Sequence, residues 1–354
     1  MPKSPTVETL AQELMFPATR YQGSKTKLLG WIWAQVSNLK FTTVLDAFGG
    51  TGSVSYLFKT KAKKVAYNDI LHFNYNIALA LIENKDVCLS GDEVNWLLEK
   101  HSNINYPKFV QENFQKIYFT DEENALIDQL ITNIQHLDNK YKFAIAFFAL
   151  CQTCIIKRPF NLFHRKNLYI RLANVKRSFG NKTTWDKPFN QLFRGFAHEA
   201  NQGVFDNGQE NIAYNCDVFD IPGDYDLVYI DPPYISKQGV AVDYLNFYHF
   251  LEGLALYPDW ENRIDYKSKH HRFTIQANEW TNKKQVLNAF NRLFERYQKS
   301  ILVVSYRSDG IPTELELVEL MRKYKQHIQV EYYGKYQYVL STNTSSQEIL
   351  LIGR

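Results

Sequence analysis

Short apolar runs that stop at an acidic residue recur along this chain, separated by stretches of helical period. Residues 42–46 (Thr-Thr-Val-Leu-Asp) lead into a glycine-rich turn, and 64–69 (Lys-Val-Ala-Tyr-Asn-Asp) and 226–231 (Asp-Leu-Val-Tyr-Ile-Asp) also end in an acid. Runs of this length rich in β-branched and aromatic residues read as strands, so each acid falls at a strand's carboxyl end, where open α/β sheets place their chemistry. Strand character also marks 211–219, 300–305, 328–333 and 348–353. Helical patterns fill 28–36, most of 72–156, 282–297 and a stretch begun by Pro312. Ser90 with Glu93 and Thr120 with Glu123 have the spacing of capping boxes, Pro107 suits the first turn of a further helix, and Ser24 can cap the helix of 28–36. Residues 1–15 read as an arm or a short helix. The alternation predicts an α/β fold.

The run 226–231 continues into Pro232, Pro233 and Tyr234. Neither proline can donate a ladder hydrogen bond, so the strand must stop and leave Asp231 at its end. Asp-Pro-Pro-Tyr suits methyl transfer to a planar exocyclic amine, whose lone pair is delocalised into its ring. A catalyst for such an amine should accept hydrogen bonds from both N–H groups. Asp231 supplies one acceptor and the carbonyl of Pro232, aimed by a fixed φ, supplies the other. Tyr234 offers a ring for an extruded base, a stacking interaction of roughly 1–3 kcal/mol. A plain strand end with a Pro-Pro turn is the other reading of these residues.

The turn after Asp46 reads Ala47-Phe48-Gly49-Gly50-Thr51-Gly52 and opens a helix, the βα element of a nucleotide-type site. Its glycines do not spell G-x-G-x-x-G, which disfavours a nicotinamide cofactor. Asp46 is placed for an amino group rather than a pyrophosphate, as the methionine half of S-adenosylmethionine requires. Asp69, about twenty residues on, has the spacing of a ribose-binding carboxylate; an Asx-turn at Asn68-Asp69 is the alternative. Asp217 can accept from a cofactor adenine amine, with Phe219 packing the ring. Around Gly23, Tyr21 and Lys25 could clasp a ligand carboxylate, or the segment is simply a loop.

Length and composition narrow the picture. With 354 residues and 45% hydrophobic content the chain can bury one large core or a core with a second lobe. A net charge of only +4 gives no global field, so any nucleic-acid surface must be local. Residues 157–166 are a candidate: Lys157, Arg158, His164, Arg165 and Lys166 occur there with Phe160 and Phe163, and Arg171, Lys176, Arg177, Lys182 and Arg194 extend the series. This reads as a phosphate-contacting surface or as a solvated basic face. Cys151 and Cys154 lie in an apolar helical run, without a second pair that would point to zinc, and His270-His271 lack partner ligands, so no metal is expected. Cys88 and Cys216 complete a reduced set. The N-terminus holds no signal-like apolar region, and 143–151 is too short to span a bilayer, so a soluble intracellular protein without membrane contact is expected.

The motifs Arg20-Tyr21-Gln22-Gly23-Ser24-Lys25, Asp46-Ala47-Phe48-Gly49-Gly50-Thr51-Gly52, Asp69 and Asp231-Pro232-Pro233-Tyr234, in that order, resemble those of the alpha-group, Dam-like adenine-specific DNA methyltransferases. The resemblance implies a Rossmann-like S-adenosylmethionine-dependent methyltransferase core over 1–71 and 205–354, with an inserted helical DNA-recognition lobe over 72–204. It implies that Tyr21, Lys25, Asp69 and Asp231 contact or adjoin S-adenosylmethionine and that Asp231 to Tyr234 receive a flipped adenine of double-stranded DNA. Tyr306 and Arg307 are expected on the target-base side. A monomeric cytoplasmic enzyme follows, with room for a cognate restriction endonuclease acting separately. Asp-Pro-Pro-Tyr favours adenine over the cytosine that Ser-Pro-Pro-Tyr would suggest. The same machinery on a cytosine amine or on RNA, and a nucleic-acid-binding module with an inactive cofactor fold, are the competing readings; intact Asp46, Gly49, Gly52 and Asp231 argue against the last.

Overall fold

The computed structural model describes residues 16, 17, 19–175, 182–274, 278–335 and 346–354; the arm expected over 1–15, and Lys176 and Arg177, lie outside the described residues. The chain forms two compact units. One comprises Gln22–Tyr75, Asn207–Tyr244 and Ile275–Arg354; the other comprises Met1–Tyr21, Asn76–Asp206 and Leu245–Thr274.

The first of these is built on a seven-stranded sheet. Its strands are β1 (Thr43–Asp46), β2 (Lys64–Asn68), β3 (Ile212–Tyr214), β4 (Leu227–Ile230), β6 (Ile301–Arg307), β8 (Ile328–Lys335) and β9 (Gln347–Gly353), in the order β3-β2-β1-β4-β6-β9-β8. β3, β2, β1, β4 and β6 are parallel, whereas β9 runs antiparallel to both its neighbours. A separate ribbon pairs β5 (Ile235–Ser236) with β7 (Gly310–Ile311).

Parallel strands are covered on both faces, which is why β4 is apolar throughout and every one of its residues is buried. Leu45, Val228, Ile230, Leu302, Val304, Ile349 and Leu351 pack with the helices Val286–Arg296 and Glu314–Met321. The first of these helices buries Val286, Ala289, Phe290, Leu293 and Phe294, the i, i+3, i+4, i+7, i+8 stripe of an amphipathic helix. The alternate residues Val44, Val65, Leu227, Tyr229 and Val303 are buried as well, and the helix Ser53–Thr60 lies against β1 and β2. Strands β1, β2 and β3 step one way across the sheet, and β4 and β6 step the other. The order therefore reverses between β1 and β4, the place where open α/β sheets bind ligands.

The other unit is helical. Ser90 and Glu93 form a reciprocal capping box that starts Gly91–Leu98, and Thr120 and Glu123 form another that starts Asp121–Ile134. Lys140–Ile156 is apolar on all sides and buried from Ala144 to Ile155, including Cys151 and Cys154, whose thiols are free. Among the described residues no helix is long and apolar enough to cross a membrane.

The structure departs from the sequence expectations at several points. Residues 245–274, part of a stretch set in the core from sequence with room for a share in recognition, group with the helical unit, where Phe250 and Trp260 pack on Phe114 and Tyr257 donates to Asp128 Oδ1 at 2.6 Å. The strand expected over 211–219 ends at Tyr214; there the Asn68 side chain takes Cys216 N–H and donates to its carbonyl, turning the chain away. Ser24 does not cap the helix Leu29–Val36: a 3-10 turn, Thr26–Leu28, intervenes, and Ser24 Oγ pairs with Thr26 Oγ1. Pro107 lies two residues before the helix Phe109–Asn113, and the helix after Pro312 is capped by Thr313 in a box with Glu316.

Candidate active site

Three carboxylates converge at the carboxyl ends of β2, β1 and β4. Asp46 ends β1 in register with Tyr67 on β2 and Tyr229 on β4, so Asp69 and Asp231 each extend two residues beyond it. The turn after β1 needs its glycines: a Cβ on Gly49 would fall 2.0 Å from the Tyr67 ring, and Gly52, at φ 77°, begins the helix Ser53–Thr60 from the left-handed region. Asp69 closes this turn, its Oδ2 accepting Gly50 N–H at 2.9 Å and its Oδ1 accepting Leu71 N–H at 2.8 Å.

Asp46 is buried. Its Oδ2 accepts from Ser55 Oγ at 2.7 Å, while its Oδ1 is enclosed without a hydrogen-bond partner among the described residues. Burial pushes this carboxyl up to about 7; the Ser55 hydroxyl draws it down, and the nearby Asp231 and Asp69 charges push it up further. Beside the turn, the Phe48 ring meets Trp280 edge-on at 4.8 Å, and Trp280 lies stacked near Phe219 at 6.1 Å. The Arg292 guanidinium covers Phe219 at 3.8 Å. Asp217 is exposed, and its Oδ1 accepts Phe219 N–H at 3.0 Å.

Asp231 belongs to a buried charge cluster. Lys25 Nζ lies 3.1 Å from Asp231 Oδ1 and 3.0 Å from Glu348 Oε1. Tyr234 Oη is 2.8 Å from each of those carboxylate oxygens and is hydrogen-bonded by Lys25, and Ser305 Oγ donates to Glu348 Oε1 at 2.5 Å. Burial raises the Asp231 carboxyl to about 6; Lys25 pulls it back and the Glu348 charge pushes it up. Burial alone would lower the Lys25 ammonium, but the attraction of Asp231 and Glu348 outweighs it and leaves the group raised.

Thus Asp46, Gly49, Gly52, Asp69 and Asp231, with Pro232 and Pro233 following, lie together at one end of the sheet. Other expected residues are placed differently. Lys25 reaches this site, where it meets Asp231, Glu348 and Tyr234. Tyr234 is only 7% exposed, with its ring edge-on to Tyr306 at 5.1 Å and its hydroxyl against the two acids. Tyr306 is interior and its hydroxyl donates to Ile311 O, while Arg307 forms a two-pronged pair with Asp309 at 2.6 and 2.9 Å. Tyr21 lies in the helical unit, its ring stacked on Tyr248 at 4.4 Å.

Lys157 and Arg158 are not surface cations. Lys157 pairs with Glu123 at 2.9 Å and donates to the carbonyls of Trp185 and Lys187; Arg158, 1% exposed, donates to backbone carbonyls and to Asn167. Arg171 is likewise buried against Glu123, whereas Arg165 and Lys166 are exposed. Glu348 and Ser305 are the site residues that the sequence reading missed. The available signal was an acid opening an otherwise apolar terminal strand. Among the described residues no group of three or more His, Cys, Asp or Glu is placed to hold a metal ion.

Residues 21–310 match the D12 class N6 adenine-specific DNA methyltransferase family, and the chain belongs to that family. It is 30% identical over 318 residues to the type II methyltransferase M2.HphI of Haemophilus parahaemolyticus, spanning 87% of this chain and 88% of that protein. Similarity to M.NlaIII of Neisseria lactamica is 24% over 325 residues, covering 88% and 91% of the two chains. Against M.FokI of Planomicrobium okeanokoites it is 27% over 325 residues, which is 86% of this chain but only 47% of that protein. The enzyme therefore methylates the N6 amine of adenine in DNA, with S-adenosylmethionine as methyl donor. The site fits that cofactor: a buried carboxylate oxygen with no hydrogen-bond partner among the described residues suits an ammonium, and the turn beside it lacks the pattern of a phosphate cradle.

Proposed function

We propose that Asp231 and the Pro232 carbonyl accept the two N–H groups of a flipped-out adenine, and that Asp46 and Asp69 hold the cofactor's ammonium and ribose. The observation that carries this reading is the placement of Asp46 and Asp231 at the carboxyl ends of neighbouring strands, at the point where the sheet order reverses. S-adenosylmethionine, when bound, supplies an electrophilic methyl on a sulfonium. The chain supplies position and charge. With a carboxyl near 6, Asp231 is ionised at neutral pH and accepts strongly. Two acceptors on one amine favour a tetrahedral nitrogen and direct its lone pair; Asp231 need not take a proton before attack, since the amine becomes acidic once methylated. Holding the reactants in line can contribute roughly 7–11 kcal/mol of barrier reduction. Phe48 and Phe219, with Asp217, flank the cofactor's adenine.

The motif order supports an alpha-group, Dam-like assignment. In this reading the helical region 72–204, together with 245–274, is the recognition lobe inserted in the methyltransferase core, and the exposed Arg165 and Lys166 contact phosphates. The type II names of the relatives support a modification enzyme of a restriction-modification system, and we propose that it works as a monomer in the cytoplasm beside a separate endonuclease. Nucleoside analysis of duplex DNA after labelled methyl transfer should give N6-methyladenine within one short sequence. Methylated cytosine, or label on RNA alone, would refute the reading.

Asp46 gives a sharper expectation for the cofactor. An ammonium pairs with the ionised carboxyl, so affinity for S-adenosylhomocysteine should rise as pH climbs through about 7 and should level off above it. Binding at pH 6 should release a proton. Asp46→Asn should weaken binding by about 1.5–3 kcal/mol, the range for a hydrogen bond to a charged group, and should flatten this pH dependence. Calorimetry at several pH values measures both, and unchanged affinity would remove Asp46 from the site.

A further inference from the structure

We propose that Glu348 is a positioning residue for methyl transfer: it shares Lys25 with Asp231, and so keeps the Asp231 carboxylate fixed yet free to accept from the target amine. This rests on the role given to Asp231 above. The Lys25 ammonium is almost equidistant from the two acids, at 3.1 Å from Asp231 and 3.0 Å from Glu348. Among the described residues, Lys25 is the ammonium that these two carboxylates share. Paired with Asp231 alone, Lys25 would form a neutral couple and draw off the electron density that the amine needs.

Glu348 is built for this hold. It is fully buried, and Lys25, Tyr234 and Ser305 converge on its Oε1 at 3.0, 2.8 and 2.5 Å. Its place is set by the antiparallel register of β9 on β6, with Arg307 opposite Glu348 and Ser305 two residues earlier on the same strand. The groups that act electrostatically on Asp231 come from several elements: Lys25 from the segment after Gly23, Tyr234 from its own loop, Tyr229 from β4, Tyr244, Asp46 from β1 and Glu348 from β9. Among the described residues Lys25 is the cation that Asp231 meets, and Glu348 is the carboxylate that shares it. The Glu348 charge raises the Asp231 carboxyl, so removing that charge should lower it.

Glu348→Gln keeps the shape and removes the charge. Carbon-13 NMR of the Asp231 carboxyl, assigned by its loss in Asp231→Asn, should show the titration midpoint falling from about 6 by about one pH unit, the lower end of the effect of a close charge. The single-turnover rate at its alkaline plateau should fall at least about tenfold with KM for DNA little changed, and the acid limb should move down with the midpoint. A purely structural Glu348 would lower the melting temperature and leave the midpoint in place. An unmoved midpoint, or a plateau within about twofold of wild type, overturns the proposal. Glu348→Asp, which keeps the charge but withdraws it by one methylene, covers the case in which the Gln protein does not fold: its midpoint should move the same way by less, and no movement overturns the proposal equally. The titration needs no turnover. A failure of adenine methylation in the wild type therefore strikes the functional reading, and an unmoved midpoint strikes this one.

Discussion

Asp231→Ala should lower the single-turnover rate of methyl transfer by about 100- to 1000-fold, the cost of deleting one preorganised polar partner of a transition state. Its affinities for S-adenosylhomocysteine and DNA should stay within about threefold of wild type. The asymmetry follows from the site. Asp231 meets the amine as the nitrogen turns tetrahedral, whereas the glycine turn, Asp46 and Asp69 are held by contacts that do not involve it. The fold should tolerate the change, because Lys25 keeps Glu348 as a partner at 3.0 Å. Rapid-quench measurement with labelled cofactor separates the methyl-transfer step from product release. A rate within about tenfold of wild type, only about 1.4 kcal/mol of barrier, would take the acceptor role away from Asp231.

The parallel strands were legible because they are buried on both faces and must be apolar along their whole length, as β4 is from Leu227 to Ile230. The acids at their ends stood out against that background, and two capping boxes announced helix starts through side chains only three residues apart. What the sequence hid was set by distant pairing. Glu348 joins Asp231 only because β9 folds back antiparallel on β6, a register that no local pattern encodes. The contacts of Tyr234 were hidden in the same way, because its partners Lys25, Glu348 and Tyr306 come from three other parts of the chain. A run of basic residues likewise records charge and not direction: within 157–166, Lys157 and Arg158 turn inward while Arg165 and Lys166 face water.

Arg158→Ala should destabilise the protein by about 4 kcal/mol or more, a large part of the roughly 5–15 kcal/mol that holds an ordinary domain. The Arg158 guanidinium lies 4.3 Å from the centre of the Tyr118 ring and donates to Tyr118 O at 2.9 Å, Arg165 O at 3.3 Å and Leu162 O at 3.4 Å, and to Asn167 Oδ1. Truncation leaves these acceptors unpaired in the interior, each at about 1–3 kcal/mol, and opens a cavity beside Tyr118 and Phe163. Arg158→Lys should rescue little, since a single ammonium cannot reproduce the planar fork that reaches several carbonyls at once. Arg165→Ala is the contrasting case: stability should change by less than about 0.5 kcal/mol, while DNA affinity weakens for all sequences alike and the salt dependence loses about one counterion. Urea unfolding and binding titrations across salt concentrations measure the two effects separately. A stable Arg158→Ala protein with a shallower salt dependence would return Arg158 to the phosphate-contacting role suggested by its neighbours in sequence.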